Sequence, residues 1–160
     1  MTSVKLKRWI VGRNCVGRLG ELAPLERLAF PYVTPAQQNA VRFLQTHKHV
    51  LIVAERDGVA VGYVVVLFGF PQAQLYQLVV SAAHRGRGIG SALLVAAERY
   101  GRRCAETMTL EVREDNHAAI ALYHSRGFHE CGRSPGYYSD GAAAVHFTKV
   151  LRPAATEMAA

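Results

Sequence analysis

Two periodicities alternate along this chain of 160 residues, the twofold repeat of a β-strand and the spacing of an amphipathic helix. Apolar runs bounded by glycine, proline or charged residues predict strands at 4–11, 50–55, 59–68, 75–80, 107–112, 128–133 and 144–151. Helical spacing predicts helices at 19–28, from 34 onward, at 90–100 and at 116–126. A helical amino-terminal third therefore precedes a meander of strands and then strand–helix–strand–helix–strand–strand.

Turn and cap residues support these boundaries. Pro24 interrupts the first helical segment, and Thr34-Pro35 is a helix start, with threonine as N-cap and proline at the first helical position. Arg56-Asp57-Gly58 is a hairpin signal, and Gly127 occupies the left-handed position that ends a helix. The residues expected to face the core from the middle two helices are Val41, Phe43, Leu44, Leu93, Leu94 and Ala97.

This order predicts an α/β or α+β fold, with a mixed, mostly antiparallel sheet of about seven strands and helices on both faces. The length and a hydrophobic content of 50% suit one domain, expected over residues 1–152, with 153–160 as a disordered tail. The longest apolar segment, 59–70, is too short to span a bilayer, and the basic stretch at 5–13 lacks the apolar run of a secretory signal.

Charge and cysteine content narrow the class of partner. The net charge of +7 favours a polyanionic ligand, a nucleic acid or an acidic surface. Basic residues are scattered without interleaved aromatic residues, which argues against nucleic acid. The odd set of cysteines, at 15, 104 and 131, and the histidines at 84, 117, 124 and 129 show no metal-ligand spacing. We expect free thiols, no metal, no membrane and a cytoplasmic location.

The most informative segment is 78–94, where an apolar strand, a basic glycine-rich turn and an apolar helix follow one another. Glycines alternate with Arg85 and Arg87 just before the helix, so the amides of residues 86–91 and the helix dipole can bind a pyrophosphate. A solvated turn is the alternative. A dinucleotide fold would place such glycines near the start of a βαβ repeat, and the Walker lysine is absent.

A second block, 110–128, gathers candidate chemistry. Glu111 lies in an apolar-rich strand, Asn116 can cap the following helix, and Tyr123 lies two turns along the face that begins there. A carboxylate, a helix N-terminus and a phenol can therefore meet at one cleft. Each also has a plain structural role, as a solvent-facing strand residue, a cap and a core aromatic respectively.

Together the two blocks resemble the GNAT N-acetyltransferase superfamily, and among its branches the ribosomal-protein alanine N-acetyltransferases. The resemblance covers roughly 20–151. The matching pieces are Arg85-x-x-Gly88-x-Gly90, Leu110-Glu-Val-Arg113, Asn116, Ala119-Ile-Ala-Leu-Tyr123, Gly127-Phe128, Phe30-Pro31 and Tyr137-Tyr138. The resemblance implies acetyl-CoA as co-substrate. The residues that would bind it are Leu78, Val79, Val80, Arg85, Gly86, Arg87, Gly88, Ile89, Gly90, Ser91 and Asn116.

The same resemblance implies that Glu111 is the general base and that Tyr123 protonates the departing thiolate. Leu78–Val80 would pair with pantetheine like an added strand. Tyr32, Tyr137 and Tyr138 would wall the acceptor groove. Tyr32 replaces the tryptophan usual in that branch, and the end of the late loop, residues 140–144, lacks the acidic residues of that branch.

The acceptor is the least determined feature. An α-amine titrates about 2.5 pH units below a lysine, a difference of roughly 3.4 kcal/mol in deprotonation, so a carboxylate base favours a protein or peptide amino terminus. A small amine acceptor and a non-catalytic acyl-CoA sensor are the alternatives. The chain is expected to be a monomer or a homodimer.

Overall fold

The computed structural model describes residues 3–9, 18–29, Leu44 and 47–152. The strands in these ranges are β1 (Lys5–Trp9), β2 (His49–Arg56), β3 (Val59–Leu67), β4 (Gln72–Val80), β5 (Thr107–Arg113), β6 (His129–Ser134) and β7 (Ala144–Val150). The α-helices in the same ranges are α1 (Ala23–Ala29), α2 (Ile89–Gly101) and α3 (His117–Ser125). No helix in the described part of the chain is long and apolar enough to cross a membrane.

All the described strands form one sheet, in the order β1-β2-β3-β4-β5-β7-β6. Neighbouring strands run antiparallel except β4 and β5, which are parallel and are joined through α2. The predicted mixed, mostly antiparallel sheet of about seven strands is therefore confirmed. A parallel pair needs a long crossover, and α2 provides it by crossing one face of the sheet.

Local sequence explains where the elements begin and end. Asp57 (φ +53°) and Gly58 (φ +79°) form the two-residue turn of the β2–β3 hairpin, the geometry that the twist of paired strands favours. Gly127, at φ +83°, ends α3 as predicted. The helix predicted at 19–28 is divided, with a 3₁₀ turn at Leu19–Glu21 before α1. Pro24 then lies in the first turn of α1, where it is tolerated.

The core has one layer on each face of the sheet. Between the sheet and α2 and α3, a large cluster includes Leu93, Leu94 and Ala97, as predicted. The opposite face holds a smaller cluster with α1 and Leu44, whose predicted burial is also confirmed. Most of the helix predicted from Thr34, including Val41 and Phe43, lies outside the described residues, as do Cys15 and the tail at 153–160.

A buried carboxylate ties the α2 side of the sheet together. Glu98 of α2 has no exposed surface, and its Oε2 lies 2.8 Å from Nζ of Lys149 on β7. The same oxygen lies 3.2 Å from Arg126, after α3, and 3.4 Å from Arg102, after α2. One side chain thus links two helices to a strand next to β5.

Candidate active site

The candidate site is built around a gap between β4 and β5. Their pairing runs from Gln72 opposite Thr107 to Leu75 opposite Leu110 and stops there. Immediately beyond it, the β3–β4 register shifts so that Tyr76 is an extra residue in β4. Such a bulge bends and twists its strand. The end of β4 therefore stays paired with β3 while its other edge diverges from β5.

The glycine turn lies at the end of β4. Gly86 and Gly88 have φ of +72° and +80°, and a Cβ at either would meet nothing within 4 Å. Conformation rather than space therefore explains glycine at these two positions. Gly88 is the N-cap of α2, and its carbonyl accepts from Ala92 at 3.0 Å. Within the described residues, the amides of 86–91 donate to no backbone carbonyl, as an anion-binding turn requires.

A cleft of about 400 Å³ joins this turn to the edge of β4 and the start of α3. All but one of the predicted cofactor residues line it, namely Leu78, Val79, Val80, Arg85, Gly86, Gly88, Ile89, Gly90, Ser91 and Asn116. Tyr123 and His84 line it too, whereas Arg87 does not. Arg87 lies in a neighbouring groove with Arg56, which His84 also borders. The cleft is apolar along β4 and α3 and polar at the glycine turn.

Arg85 and Asn116 each have a structural partner within this cleft. Nε of Arg85 donates to the carbonyl of Val80 at 3.2 Å, which holds the guanidinium at the end of β4. Oδ1 of Asn116 accepts from the amide of Ala119 at 3.2 Å, so the predicted N-cap of α3 is present. The cap orients Asn116 at the cleft, so its structural position and its predicted binding role are compatible.

Tyr123 lies on the α2–α3 side of the gap. Its ring packs against Phe128 at 5.9 Å and Phe147 at 6.2 Å between centroids. Burial raises the pKa of its phenol well above the ordinary value, with a smaller contribution from Tyr138. The hydroxyl is therefore protonated at neutral pH and can donate a proton at the cleft.

Glu111 lies on the opposite face of the sheet. Along β5, Met108, Leu110 and Val112 are buried in the α2–α3 core, so alternation turns Glu111 the other way. Its side chain is 34% exposed, and its Oε1 lies 3.5 Å from Nδ1 of His146, the residue opposite it on β7. It lines a second cleft, of about 320 Å³, rather than the one that Tyr123 lines. The two candidate catalytic groups thus approach the gap from different faces.

The loop between β6 and β7 brings two predicted tyrosines to Glu111. Tyr137 and Tyr138 pack edge to face with centroids 5.2 Å apart. A hydrogen bond to Glu111, with burial and the charge of that carboxylate, raises the pKa of Tyr137 to about 12. Burial and Glu111 also raise the pKa of Tyr138. Tyr32, the third residue predicted to wall the acceptor groove, lies outside the described residues.

An ion pair fixes this loop to β5. Nη1 of Arg113 lies 2.8 Å from Oδ1 of Asp140, its Nη2 contacts the other carboxylate oxygen, and its Nε lies 2.8 Å from Asp115. The hydrogen bond from Arg113 is the main reason that the pKa of Asp140 falls to about 2. Asp140 is thus engaged in holding the loop.

His146 and Ser134 are site residues that the sequence did not predict. Nε2 of His146 lies 2.7 Å from Oγ of Ser134 on β6, while Nδ1 faces Glu111. The available signal was a histidine between two apolar residues of β7, Val145 and Phe147. That signal does not reveal its partners, because they come from two other strands.

The known proteins that this chain resembles in sequence and in fold are acetyltransferases. The sequence profile of the Acetyltransferase (GNAT) family matches residues 19–128. The chain is 33% identical over 135 residues to an uncharacterized N-acetyltransferase of Methanocaldococcus jannaschii, covering 82% of this chain and 85% of that one. It is 33% identical over 135 residues to an N-alpha-acetyltransferase of Sulfurisphaera tokodaii, covering 76% and 80%. The crystal structure of the ribosomal-protein-S18-alanine N-acetyltransferase from Escherichia coli superposes with a TM-score of 0.80 at 24% identity, covering 95% and 96%, which confirms the fold.

Proposed function

Because this chain belongs to the GNAT acetyltransferase family, and so is an N-acetyltransferase with acetyl-CoA as acyl donor, we propose that its acceptor is a protein amino-terminal α-amine. The amine attacks the thioester directly in a ternary complex, in the cytoplasm. The observation that carries the proposal is the parting of β4 from β5 between Glu111 on one face and Tyr123 on the other.

The residues of the 400 Å³ cleft fit acetyl-CoA. Amides 86–91, which have no backbone acceptor among the described residues, suit the pyrophosphate at the N-terminus of α2. The apolar edge of β4 from Leu78 to Val80 and the apolar surface of α3 suit the pantetheine arm, which can pair with β4 as an added strand. When bound, the co-substrate supplies an activated acetyl group.

The reaction then needs one group to accept protons and another to donate. Glu111 accepts the proton that the amine loses as its nitrogen bonds to the acetyl carbon. Tyr123 donates the proton that the sulfur takes as the carbon–sulfur bond breaks. Their approach from opposite faces of the sheet suits an amine and a sulfur that lie on opposite sides of the reacting carbon. Groups so positioned contribute about 10²–10⁴-fold each.

Three arguments favour the α-amine of a peptide as the acceptor. A carboxylate base is well matched to an amine that titrates near 8, because the lysine penalty of roughly 3.4 kcal/mol is avoided. The chain is also 33% identical, over most of its length, to the N-alpha-acetyltransferase of S. tokodaii. The loop that Arg113 and Asp140 hold beside Glu111 supplies an aromatic wall for the first residues of a peptide.

The test is an acceptor screen with acetyl-CoA and product detection by mass spectrometry. The panel contains peptides with free amino termini, the same peptides with blocked termini and an internal lysine, and small amines. We expect acetylation of free termini and none of blocked peptides. Turnover of small amines alone would replace the protein acceptor by a small one. Stabilisation by acetyl-CoA without product from any amine would identify an acyl-CoA sensor.

A further inference from the structure

His146 is placed to work with Glu111 although it does not border the acetyl-CoA cleft. It lies opposite Glu111 in the β5–β7 register, with Nδ1 3.5 Å from Oε1 of that carboxylate. We propose that His146 is a positioning residue, which orients the Glu111 carboxylate and relays its proton to solvent during acetyl transfer. This inference rests on the proposed role of Glu111 as general base.

Both ring nitrogens of His146 have partners, and those partners suit two protonation states. In the neutral ring that can receive the proton of Glu111, Nδ1 is unprotonated and faces the carboxyl group, while Nε2 donates to the hydroxyl oxygen of Ser134, 2.7 Å away. In the imidazolium that results, Nδ1 also carries a proton and faces the carboxylate, and Nε2 still donates to the same hydroxyl oxygen. The ring can therefore gain and lose a proton without leaving a polar atom unpaired.

The proton relay has an exit to solvent. His146 and Glu111 both line the 320 Å³ cleft, on the face of the sheet opposite α2 and α3. Among the residues that the structure describes, the other titratable or charged groups that line it come from β6, namely Cys131 and Arg133. Arg133 is paired, with Nε 2.7 Å from Glu130 and Nη1 4.0 Å from Glu114. β4 contributes Gln74, which is uncharged and is not a proton acceptor. Because the cleft opens to solvent, water in it can take the proton from the imidazolium.

Tyr137, the other side chain that contacts Glu111, does not offer a competing path for the proton. Tyr137 hydrogen-bonds to the carboxylate with a pKa raised to about 12, so at neutral pH its hydroxyl already carries a proton. It can hold the carboxylate in place but cannot accept a proton from it. Of these two described neighbours of Glu111, His146 is therefore the one that can accept its proton.

The relay closes the proton balance of the reaction. An ammonium acceptor loses two protons, one before attack and one as the carbon–nitrogen bond forms. Tyr123 gives one proton to the departing sulfur and regains one from solvent, which balances the proton that the ammonium lost before attack, so one net proton leaves per turnover. Glu111 passes it to His146, and His146 releases it into the cleft. Nothing is oxidised or reduced.

The test is chemical rescue. In His146→Ala, we expect kcat to fall roughly tenfold with an unchanged KM for acetyl-CoA, a smaller loss than the ~10²-fold or more of Glu111→Gln. Added imidazole can enter the open cleft and should restore turnover, increasingly as pH rises and the added imidazole loses its proton. The matched control, His129→Ala, removes an exposed histidine of β6 and should keep its activity without a response to imidazole.

Two results would overturn the relay. One is His146→Ala with the wild-type kcat, and the other is a lowered kcat that imidazole leaves unchanged in a variant that melts normally. If His146→Ala does not fold, Ser134→Ala keeps the ring and removes its outer partner. That variant should lower kcat by less than His146→Ala, and an unchanged kcat there would also oppose the relay. Full activity of Glu111→Gln would instead refute the proposed mechanism itself.

Discussion

The two faces of the sheet each contain a glutamate next to β7, and the two glutamates have opposite surroundings. Glu98, on the α2 side, has no exposed surface and faces Lys149, Arg126 and Arg102. Glu111, on the other side, is 34% exposed and contacts His146 and Tyr137. Lysine and arginine keep their protons at neutral pH, whereas histidine and water exchange them. The partners, rather than the residue type, make one carboxylate structural and the other suited to proton transfer.

The strongest test of this contrast is Glu111→Gln. The amide keeps the shape of the side chain but cannot accept a proton, so kcat should fall by about 10²–10⁴-fold. The melting temperature should change little, because the side chain is partly exposed. Steady-state kinetics and a thermal melt check both. A variant that keeps its turnover would place the base elsewhere.

Tyr123→Phe tests the proposed proton donor on the other side of the gap. The ring contacts with Phe128 and Phe147 remain, so the fold and the affinity for acetyl-CoA should change little. We expect kcat to fall by about 10²-fold or more, because the departing sulfur loses its proton donor. Tyr100→Phe, on α2 beneath Arg103, is the matched control and should keep its kcat. Equal turnover of both variants would remove Tyr123 from the mechanism.

Glu98→Gln should produce the reverse of Glu111→Gln. It leaves Lys149 and two arginines without their shared carboxylate, and breaking a buried pair costs up to about 3–5 kcal/mol. The partial exposure of Arg102 and Arg126 reduces this cost, so we expect about 3 kcal/mol or less in denaturant unfolding. The variant should keep its kcat below its melting temperature. A lost kcat with unchanged stability would reverse the contrast between the two carboxylates.

The smallest effect is expected at the glycine turn, where backbone rather than side-chain charge is proposed to bind the co-substrate. Gly88→Ala puts a Cβ at φ +80°, which costs about 1–2 kcal/mol. The dissociation constant for acetyl-CoA, measured by calorimetry, should rise several-fold with little change in kcat at saturation. Gly20→Ala, where a Cβ also has open space but φ is not positive, is the control. Equal binding by both variants would oppose the proposed turn.

Local patterns predicted most of the fold because they act over a few residues. The Asp57-Gly58 turn, the end of α3 at Gly127 and the N-cap at Asn116 each depend on the conformational preference of one or two residues. The glycine turn is also a local feature, since closely spaced glycines directly before a helix are enough to predict it. Element ends moved by a few residues where sheet pairing extended a strand, as in β4, which begins at Gln72.

The parts that could not be predicted depend on pairing between distant segments. His146 meets Glu111 only because β7 pairs with β5, and it meets Ser134 only because β6 pairs with β7. The sequence around Glu98 predicts an ordinary helix residue, because its partners Lys149 and Arg126 come from distant segments. Arg87 lines the neighbouring groove, which shares His84, Gly88 and Ile89 with the cleft, so its role in binding the co-substrate stays a prediction.

The extra residue in β4, Tyr76, determines which face of the sheet each following side chain occupies. Leu75 and Leu78 are three positions apart, yet both pack toward α2 and α3, and Gln77 and Val79 point to the α1 side. In an unbroken strand that spacing would put the two leucines on opposite faces. Deleting Tyr76 would restore plain alternation and leave Leu78 and Val79 on their present faces, but it would remove the bulge that bends β4 away from β5. A shortened β4 would therefore keep its share of both core layers and lose the gap in which the two candidate catalytic groups meet.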